Sequence, residues 1–391
     1  MKIVVIGAGT VGTALTRVLC AEPSVSAVSV IDKNGTVLES LQQKIQDSKL
    51  RTFRMGVEKE QSVATLIKGA DCLVSALPHV YNKQLTRLAI DNEINYIDLG
   101  AHDSTYEEQL ESNKQAIEQG VLAIPNCGMA PGLLNIIALQ AFEQFDSVDS
   151  IRIRAAGLPV NPKPPLKHEL SFSPAGLVNE YLDKAIIIKG GEATEVDALE
   201  GHETVSFFSK PEFGELEAFY TSGHITSLAR HLEGKVNELD FKTIRYKGHR
   251  DIMKALFELG FDSNGIIDIR SSLTYRNLLI RQLNKKLPKV SEDIVLAKIT
   301  VSGKMGNSSV VRDYEIVHNY QQTYELPAMM ACTAIPVAIV AELIHERKTT
   351  EAAGVFPPEL VVDKNEFMNR LSEKGIEVSF DEKEADATEK V

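Results

Sequence analysis

Residues 2–12 read KIVVIGAGTVG, and this stretch decides the fold of the first part of the chain. Lys2 to Ile6 form a run of mostly β-branched residues, which is typical of a buried strand. The apolar residues from Thr10 to Ala21 recur with the spacing of a helix. The pattern therefore predicts a strand, a glycine turn and a helix in direct succession.

The glycines of this turn form the pattern G-x-G-x-x-G at Gly7, Gly9 and Gly12. The first glycine permits a tight turn, the second lets a pyrophosphate approach the backbone, and the third allows close packing of the helix. The helix amino terminus, at Thr10 and Val11, supplies N–H groups for an anion. We therefore expect these five residues to bind a dinucleotide cofactor.

Asp32 supports this interpretation, because it ends the second predicted strand twenty residues after Gly12. An acidic side chain at that position accepts hydrogen bonds from the ribose hydroxyls of an adenosine. A 2′-phosphate beside it would be repelled, so NAD is favoured over NADP, and Lys33 is interpreted as a solvated surface residue. The alternative is a glycine turn that merely packs tightly and an Asp32 that caps the next helix.

Predicted strands and helices alternate as far as residue 125, which requires crossover connections and hence a parallel sheet. We predict an α/β domain at 1–125, a doubly wound parallel sheet (Rossmann), joined by a carboxy-terminal helix at about 328–346 with Pro336 near its first turn. Longer alternating stretches predict antiparallel strands in a second, α+β substrate and dimerisation domain at 126–325. Residues 358–391 are interpreted as a charged tail that frays.

Two further edges of the predicted parallel sheet carry candidate site residues. Ala76, Leu77, Pro78 and His79 follow the fourth strand, where small residues let a cofactor pass closely. His79 is a candidate catalytic residue, or else a cap of the helix near Asn82. Asp98 ends the following strand and is a candidate catalytic base, with capping of the next helix as the equal alternative.

Composition narrows the class of protein. The chain has 391 residues, 43% of them hydrophobic and 25% charged, as in ordinary globular proteins. Its net charge of −12 and the lack of a basic patch argue against nucleic-acid binding. Four widely separated cysteines and no metal-ligand spacing indicate a reducing, cytoplasmic setting and no metal. The apolar stretch Ala328 to Ala341 is shorter than a membrane span, so no membrane partner is expected.

A third edge, Pro125-Asn126-Cys127-Gly128-Met129-Ala130-Pro131-Gly132, is a stiff turn in which Cys127 is interpreted as a packed residue lining the cofactor crevice. With VVIGAGTVG, SALP, AGLPVNPKPPLKHELSFSPAGLVNEYL and DFKTIRYKGH, the chain resembles the saccharopine dehydrogenase family, within it most closely the lysine 6-dehydrogenase branch. Ala130 stands where saccharopine reductases carry an acidic residue, and no arginine lies in Phe219 to Gly223. Both departures favour a smaller amine than saccharopine.

The resemblance implies an NAD-dependent amine dehydrogenase that oxidises the terminal amine of L-lysine to an aldehyde, which then cyclises. It also implies a homo-oligomer, a small amino acid or amine as substrate, and substrate-binding roles for Phe172 and for Arg245, which would clamp a carboxylate. A surface ion pair is the alternative for Arg245, and Glu180 is interpreted as structural or dimer-facing. The alternative functions are a saccharopine reductase-like or carboxynorspermidine dehydrogenase-like reductase and a non-catalytic NAD-binding sensor.

Overall fold

The computed structural model describes residues 1–100, 102–170, 173–268, 270–288 and 292–384. These residues form two compact units. The first unit comprises Met1–Leu139, Gln321–Leu326 and Met330–Ile376. The second unit comprises Gln140–Tyr320, Pro327–Met329 and Glu377–Val391, of which the structure describes residues up to 384.

The elements follow one another along the chain as three groups. The first group is β1 (Lys2–Ile6), α1 (Thr10–Ala21), β2 (Ala27–Asp32), α2 (Gly35–Lys44), β3 (Leu50–Arg54), α3 (Glu60–Ile67), β4 (Cys72–Ser75), α4 (Asn82–Asp91), β5 (Asn95–Asp98), α5 (Asp103–Leu110), α6 (Asn113–Gln119), β6 (Leu122–Ile124) and α7 (Leu133–Phe142). A 3₁₀ turn, His79–Tyr81, precedes α4.

The second group is β7 (Ser147–Pro159), α8 (Pro174–Glu180), β8 (Ala185–Lys189), β9 (Glu192–Val196), β10 (Glu203–Val205), β11 (Leu216–Tyr220), α9 (Thr226–Leu232), β12 (Glu238–Arg245), α10 (His249–Glu258), β13 (Ile266–Asp268), β14 (Leu273–Thr274), α11 (Tyr275–Lys286), β15 (Asp293–Met305) and β16 (Ser308–His318). The third group is α12 (Ala328–His345), β17 (Gly354–Val355), α13 (Pro358–Val361), α14 (Lys364–Glu373) and β18 (Ser379–Glu384).

The first unit is built on a seven-stranded sheet in the order β17-β6-β5-β4-β1-β2-β3. All six neighbouring pairs are parallel. The strand order reverses direction at β1, with β2 on one side and β4 on the other, so this is the topological switch point where open α/β sheets bind ligands. The fold class predicted from the sequence is confirmed.

The sheet of the second unit is mixed. It has nine strands, with the path β10-β11-β12-β7-β15-β16-β18, and β8 pairs with β12 while β9 pairs with β8. The antiparallel prediction is wrong for one pair, because β7 and β12 run parallel at the centre of the sheet. A buried cluster that includes Leu177, Phe219 and Met253 lies among α8, β11 and α10. Tyr181, which accepts a hydrogen bond from Arg245, belongs to this cluster.

Helix α12 spans Ala328–His345, close to the helix predicted at about 328–346. Among the described helices it is the one long and apolar enough to span a membrane, at 18 residues, and 89% of it is buried within the fold. Its apolar surface therefore faces protein. Pro336 lies inside the helix rather than near its first turn. A proline there removes one backbone hydrogen bond, and the surrounding burial tolerates this loss.

The interpretation of residues 358–391 as a frayed tail is wrong for the part that the structure describes. Two helices, α13 and α14, and the strand β18 form there. Charged residues of α14 form ion pairs within the first unit. Arg370 pairs with Glu342 at 3.4 Å, with Glu346 at 2.7 Å and with Glu366 at 2.7 Å. Residues 385–391 lie outside the described residues.

Candidate functional site

The candidate site of the first unit lies at the carboxyl ends of β1 and β4, which are hydrogen-bonded neighbours. The backbone N–H of Ala76 donates to the carbonyl of Ile6 at 2.8 Å, and that of Gly7 donates to the carbonyl of Ile31 at 2.8 Å. These bonds continue the backbone hydrogen bonding of β1 with β4 and with β2 one residue beyond the ends of β4 and β1. The glycine turn and the segment after β4 are therefore held side by side.

Each glycine of the turn meets a different spatial demand. Gly7 has a φ of +104°, and a Cβ on it would lie 2.8 Å from the carbonyl oxygen of Ala76. A Cβ on Gly12 would lie 1.9 Å from the carbonyl oxygen of Gly7. A Cβ on Gly9 would meet no atom within 4 Å, and Gly9 is exposed. Gly7 and Gly12 thus serve packing, whereas Gly9 leaves open space.

The open space above Gly9 lies at the amino terminus of α1. Gly9 is the N-cap residue, and no side chain caps the first turn at Thr10 and Val11. Uncapped N–H groups at a helix amino terminus attract anions. The residues present therefore fit the pyrophosphate of a dinucleotide cofactor, as the spacing of the glycines predicts.

Asp32 does not act as a helix cap, because that role falls to Asn34, whose side chain accepts from the N–H of Thr36. The Asp32 carboxylate accepts from the N–H of Ala8 at 2.8 Å and from the N–H of Asn34 at 2.8 Å. The first bond links it directly to the glycine turn. Each carboxylate oxygen keeps a further lone pair for a ribose hydroxyl.

His79 lies at the start of the 3₁₀ turn after β4, next to Ala76, Leu77 and Pro78. Its Nδ1 is 3.1 Å from the hydroxyl of Thr105, and its ring stacks on that of His102 with centroids 3.9 Å apart. Thr105 also lies 3.3 Å from Nδ1 of His102. The alternative that the His79 side chain caps α4 is wrong, because the N-cap residue is Tyr81 and no side chain bonds there.

Asp98 is fully buried, with a relative exposure of 0%. One oxygen accepts from the N–H groups of Gly100 at 2.8 Å and Asn126 at 3.1 Å, and the other accepts from Nε2 of Gln109 at 2.6 Å. Burial raises the pKa of its carboxyl, and these hydrogen bonds oppose the rise. Asp98 does not cap α5, whose N-cap residue is His102. We infer that it positions the turn after β6.

Cys127 belongs to this turn and is fully buried. Its N–H donates to the carbonyl of Asp98 at 2.7 Å. Burial raises the pKa of the Cys127 thiol well above its usual range, with the Asp98 and Glu359 charges acting in the same direction. A buried thiol of this kind is a packing group and not a nucleophile.

In the second unit, Arg245 is buried rather than engaged in a surface ion pair. Its Nε donates to the hydroxyl of Tyr181 at 2.9 Å, and one Nη1 proton goes to the carbonyl of Ile244 at 2.9 Å. The Tyr181 hydroxyl lies 3.0 Å from Nε2 of His249. Both Tyr181 and His249 lie in motifs quoted above, but the sequence reasoning gave neither a role, because only the structure shows that they meet Arg245, which is 64 residues from Tyr181.

Phe172, the other predicted substrate-binding residue, lies outside the described residues. Among the residues that the structure describes, no group of three or more His, Cys, Asp or Glu side chains is placed to hold a metal ion.

Comparison with known proteins gives the family. Residues 3–124 match the model of the saccharopine dehydrogenase NADP binding domain, and residues 128–376 match that of the saccharopine dehydrogenase C-terminal domain. The chain belongs to the saccharopine dehydrogenase family. The resemblance noted from the motifs is confirmed, and the first match supports a nicotinamide cofactor at the glycine turn.

Individual relatives are distant. The chain is 22% identical over 259 residues to alpha-aminoadipic semialdehyde synthase of Arabidopsis thaliana, a match that covers 63% of this chain and 24% of the relative. It is 22% identical over 270 residues to the mitochondrial alpha-aminoadipic semialdehyde synthase of Mus musculus, covering 66% of this chain and 28% of that protein. The matches thus span about a quarter of these curated relatives.

Solved structures share the fold over the whole chain. Apo saccharopine dehydrogenase (L-Glu forming) from Saccharomyces cerevisiae has a TM-score of 0.77 at 15% identity, covering 98% of this chain and 99% of that one. The homospermidine synthase of Legionella pneumophila, in complex with NAD, has a TM-score of 0.71 at 16% identity, covering 100% of this chain and 93% of that one. At these identities the likeness shows the fold.

The different roles of the glycines predict a clear contrast between two variants. Gly9→Ala should fold with the unfolding temperature of the unmutated protein, because its Cβ meets no protein atom, yet it should lose at least tenfold in affinity for NAD(H), since the methyl group fills the phosphate space. Gly12→Ala should instead lower the unfolding temperature, because its Cβ overlaps the Gly7 carbonyl.

Thermal unfolding and NADH fluorescence titration measure both effects. Gly69→Ala serves as the control, because a Cβ there also meets no atom within 4 Å. Its φ of +76° disfavours alanine, so this variant should lower the unfolding temperature and keep the NADH affinity. Undiminished NADH affinity in Gly9→Ala would contradict the assignment of the phosphate site.

Proposed function

We propose that this protein is an NAD-dependent amine dehydrogenase that oxidises the terminal amine of L-lysine to an aldehyde, which cyclises. The observation that carries the proposal is the open space at Gly9 beside Asp32, because it fits a nicotinamide dinucleotide in a family named for a dehydrogenase of an amine. Arg245 in the second unit supports a substrate with a carboxylate, since it is buried, donates to the Tyr181 hydroxyl and the Ile244 carbonyl, and forms no ion pair among the described residues.

The proposed roles follow from these placements. Gly7, Gly9, Gly12 and the first turn of α1 hold the pyrophosphate, and Asp32 holds the adenosine ribose. When bound, the nicotinamide ring would accept a hydride from the carbon that carries the amine. The imine left on the substrate would then add water and release ammonia to give the aldehyde, which cyclises with the α-amine. His79 takes the proton from the ammonium group, because its ring is partly exposed whereas Asp98 is fully buried with both oxygens in use.

Lysine is favoured over saccharopine as the substrate because Ala130 and the segment Phe219 to Gly223 carry no charged side chain. Saccharopine carries a second amino-acid part that needs charged partners, and these positions offer none. A reductase that joins an amine to an aldehyde or keto acid is the competing function, supported by the full-length likeness to homospermidine synthase in fold alone. A cytoplasmic location and assembly into homo-oligomers stay predictions.

The deciding experiment is a dehydrogenase screen with NAD over lysine, ornithine, diamines and saccharopine, followed by isotope transfer. Deuterium at carbon 6 of lysine should appear in NADH. A condensed secondary amine formed with NADH, detected by mass spectrometry, would support the reductase instead. Tight NADH binding without turnover of any amine would support the cofactor-binding sensor.

The first prediction from this function concerns the choice of cofactor. Asp32→Ser should weaken NAD binding by about ten- to a hundredfold, since a hydrogen bond to a charged group contributes roughly 1.5 to 3 kcal/mol. The same change should relieve discrimination against NADP, because it removes the repulsion of a 2′-phosphate. Lys33 and Arg54, which are exposed nearby, would then face that phosphate.

Steady-state kinetics with both cofactors measure this effect, with the exposed Asp91→Ser as the matched control. Asp32→Asn should relieve the discrimination with a smaller loss of NAD affinity, because it keeps an oxygen for the N–H of Ala8. Equal kinetics with NAD and NADP in the unmutated protein would contradict the assignment.

The second prediction concerns pH. A lysine amine has a pKa near 10.4, and hydride leaves the neighbouring carbon only when the amine is neutral. At pH 7 the neutral form costs about 4 to 5 kcal/mol, at about 1.36 kcal/mol for each pH unit. We expect kcat/KM for oxidation to rise with pH through about 8 to 9. His79→Gln should flatten this rise, because it removes the proton acceptor.

Asp98→Asn should behave differently if Asp98 positions the turn. It should keep the pH profile and lower the stability by about 1 to 3 kcal/mol, since the Gln109 bond loses its charged acceptor. His345→Gln, an exposed histidine on another part of the unit, is the control for the first change. A rate that is independent of pH from 6 to 10, with both site variants active, would refute the amine oxidation mechanism.

A further inference from the structure

Two histidines at the carboxyl edge of the first unit's sheet share one hydroxyl group. Nδ1 of His79 lies 3.1 Å from Oγ1 of Thr105, and Nδ1 of His102 lies 3.3 Å from the same oxygen. His79 follows β4, whereas Thr105 belongs to the first turn of α5 and His102 is the N-cap residue of that helix. The Thr105 hydroxyl therefore bridges the segments that follow two neighbouring strands, β4 and β5.

The imidazole rings of His79 and His102 are held parallel. Their centroids lie 3.9 Å apart, and the ring planes differ by 4°. Such a stack limits the rotation of both rings, which keeps the two Nδ1 atoms directed at the Thr105 hydroxyl. Two positively charged rings at this separation would repel each other, so the pair carries a positive charge on one ring at a time.

The shared hydroxyl makes the two rings complementary. A hydroxyl has one proton to donate and two lone pairs with which to accept, and a neutral imidazole carries a proton on only one of its nitrogens. When Thr105 donates to Nδ1 of one ring, it can only accept from the Nδ1–H of the other ring. A shift of the hydroxyl proton from one side to the other therefore moves a proton between the rings.

Ser104 supplies a second hydroxyl beside this pair. Its Oγ lies 3.2 Å from Nδ1 of His102, so it competes with Thr105 for that nitrogen. Ser104 is exposed, whereas Thr105 and both histidines are partly buried. The Ser104 hydroxyl can bond to water instead. Thr105 lies against both rings, and it is the hydroxyl that can pass a proton from one to the other.

The proposed reaction needs proton transfer in both directions. An alkyl ammonium, NAD and water give an aldehyde, NADH, an ammonium ion and one released proton. The ammonium group of the substrate must first lose a proton, so that its neutral amine can release the hydride from the neighbouring carbon. The nitrogen must later regain a proton to leave as ammonia. A base at this edge therefore has to lose and regain a proton within one turnover.

We propose that Thr105 and His102 act through His79 as a two-way proton relay. The inference rests on the proposed function for the role of His79 as the base. In the outward direction, Nε2 of His79 takes a proton from the ammonium group of the substrate, and Nδ1 of His79 gives its own proton to the Thr105 oxygen. Thr105 passes its hydroxyl proton to Nδ1 of His102, and Nε2 of His102 releases a proton to water.

The inward direction restores the starting state. Nε2 of His79 gives its proton to the leaving nitrogen, after water has added to the imine and lost a proton to solvent. Nδ1 of His79 then takes the Thr105 proton, and Thr105 takes that of Nδ1 of His102. Nε2 of His102 takes a proton from water. The turnover releases one proton in total, and Thr105 and His102 are positioning residues that act on the substrate only through His79.

Steady-state kinetics of the full chain with lysine and NAD test the relay. Thr105→Val removes the hydroxyl and keeps the shape of the side chain, so kcat should fall by about tenfold, less than the hundredfold or more that loss of a general base costs. Thr105→Ser keeps the hydroxyl and should retain most of the rate. The matched control is Ser104→Ala, which removes the neighbouring hydroxyl and should leave kcat unchanged.

Isotope effects separate a relay from a structural role. If proton transfer becomes slow in Thr105→Val, the solvent deuterium isotope effect on kcat should rise. The effect of deuterium at carbon 6 of lysine should fall, because hydride transfer then limits the rate less. His102→Ala should show the same two shifts, and added imidazole should reverse them. His345→Ala, at an exposed histidine, is the control that should not respond to imidazole.

Nitrogen-15 NMR of the histidine side chains tests the pair without any turnover. The shifts distinguish Nδ1–H from Nε2–H imidazole, and His79→Gln and His102→Ala assign the signals. At a pH where the shifts show both rings to be neutral, the two rings together should carry one Nδ1 proton. Thr105→Val should abolish this pattern, whereas Ser104→Ala should keep it. NADH affinity and unfolding temperature show that each variant is folded.

The inference is overturned if Thr105→Val keeps the kcat and both isotope effects of the unmutated protein, or leaves the histidine tautomers unchanged. A lower kcat with unchanged isotope effects assigns Thr105 a structural role and also overturns it. Its failure differs from failure of the proposed function. Lysine oxidation with any of these results refutes the relay alone. Paired tautomers that depend on Thr105, without NAD reduction by any amine, refute the dehydrogenase and support the pairing of the histidines.

Discussion

The contact between the glycine turn after β1 and the end of β4 is the constraint on which the first unit depends. Parallel strands need a crossover helix, and α1 must start within three residues of β1 to return across the sheet. That is possible because Gly7 adopts a positive φ against the Ala76 carbonyl, and because Gly12 packs on the Gly7 carbonyl. The same geometry aims the uncapped amino terminus of α1 at the carboxyl edge of the sheet, so packing and anion binding have one cause.

A second constraint acts two strands away, where a buried carboxylate replaces glycine packing. Asp98 ties the end of β5 to the N–H of Asn126 after β6 and to Gln109 of α5. A Cβ on Gly100 would lie 1.8 Å from Oδ1 of Asn126, so the two turns are in close contact. A carboxylate with both oxygens occupied and no exposure has little capacity for proton exchange with a substrate. On the proposed function, proton transfer at this edge therefore falls to His79, which keeps partial exposure.

The sequence predicted what depends on local pattern. The glycines, Asp32 and the doubly wound order follow from spacings of a few residues, and Gly7 and Gly12 meet the packing demands expected of them. The stacking of His79 on His102 could not be predicted from the sequence, because both residues lie in connecting segments without hydrophobic periodicity. Their contact joins the segments that follow β4 and β5. The tail was misread for a related reason, since the charges of α14 look solvated until Glu342 and Glu346, 28 and 24 residues before Arg370, are seen to pair with it.

Arg245 shows how far the sequence goes in the second unit. It identifies a candidate cation, but it does not tell whether that cation is buried or paired. The sequence left a surface ion pair open for Arg245, and only the structure shows that this side chain is buried and forms no ion pair among the described residues, whereas Arg154 and Lys242 do. The fold offsets part of this cost with the Tyr181 hydroxyl and with the Tyr181 ring, whose centroid lies 5.9 Å from the guanidinium. On the proposed function, a carboxylate of the substrate supplies a further partner for this cation. A ligand with amines alone would add a second cation to the first, so the proposed function predicts that this buried charge favours amino acids over diamines.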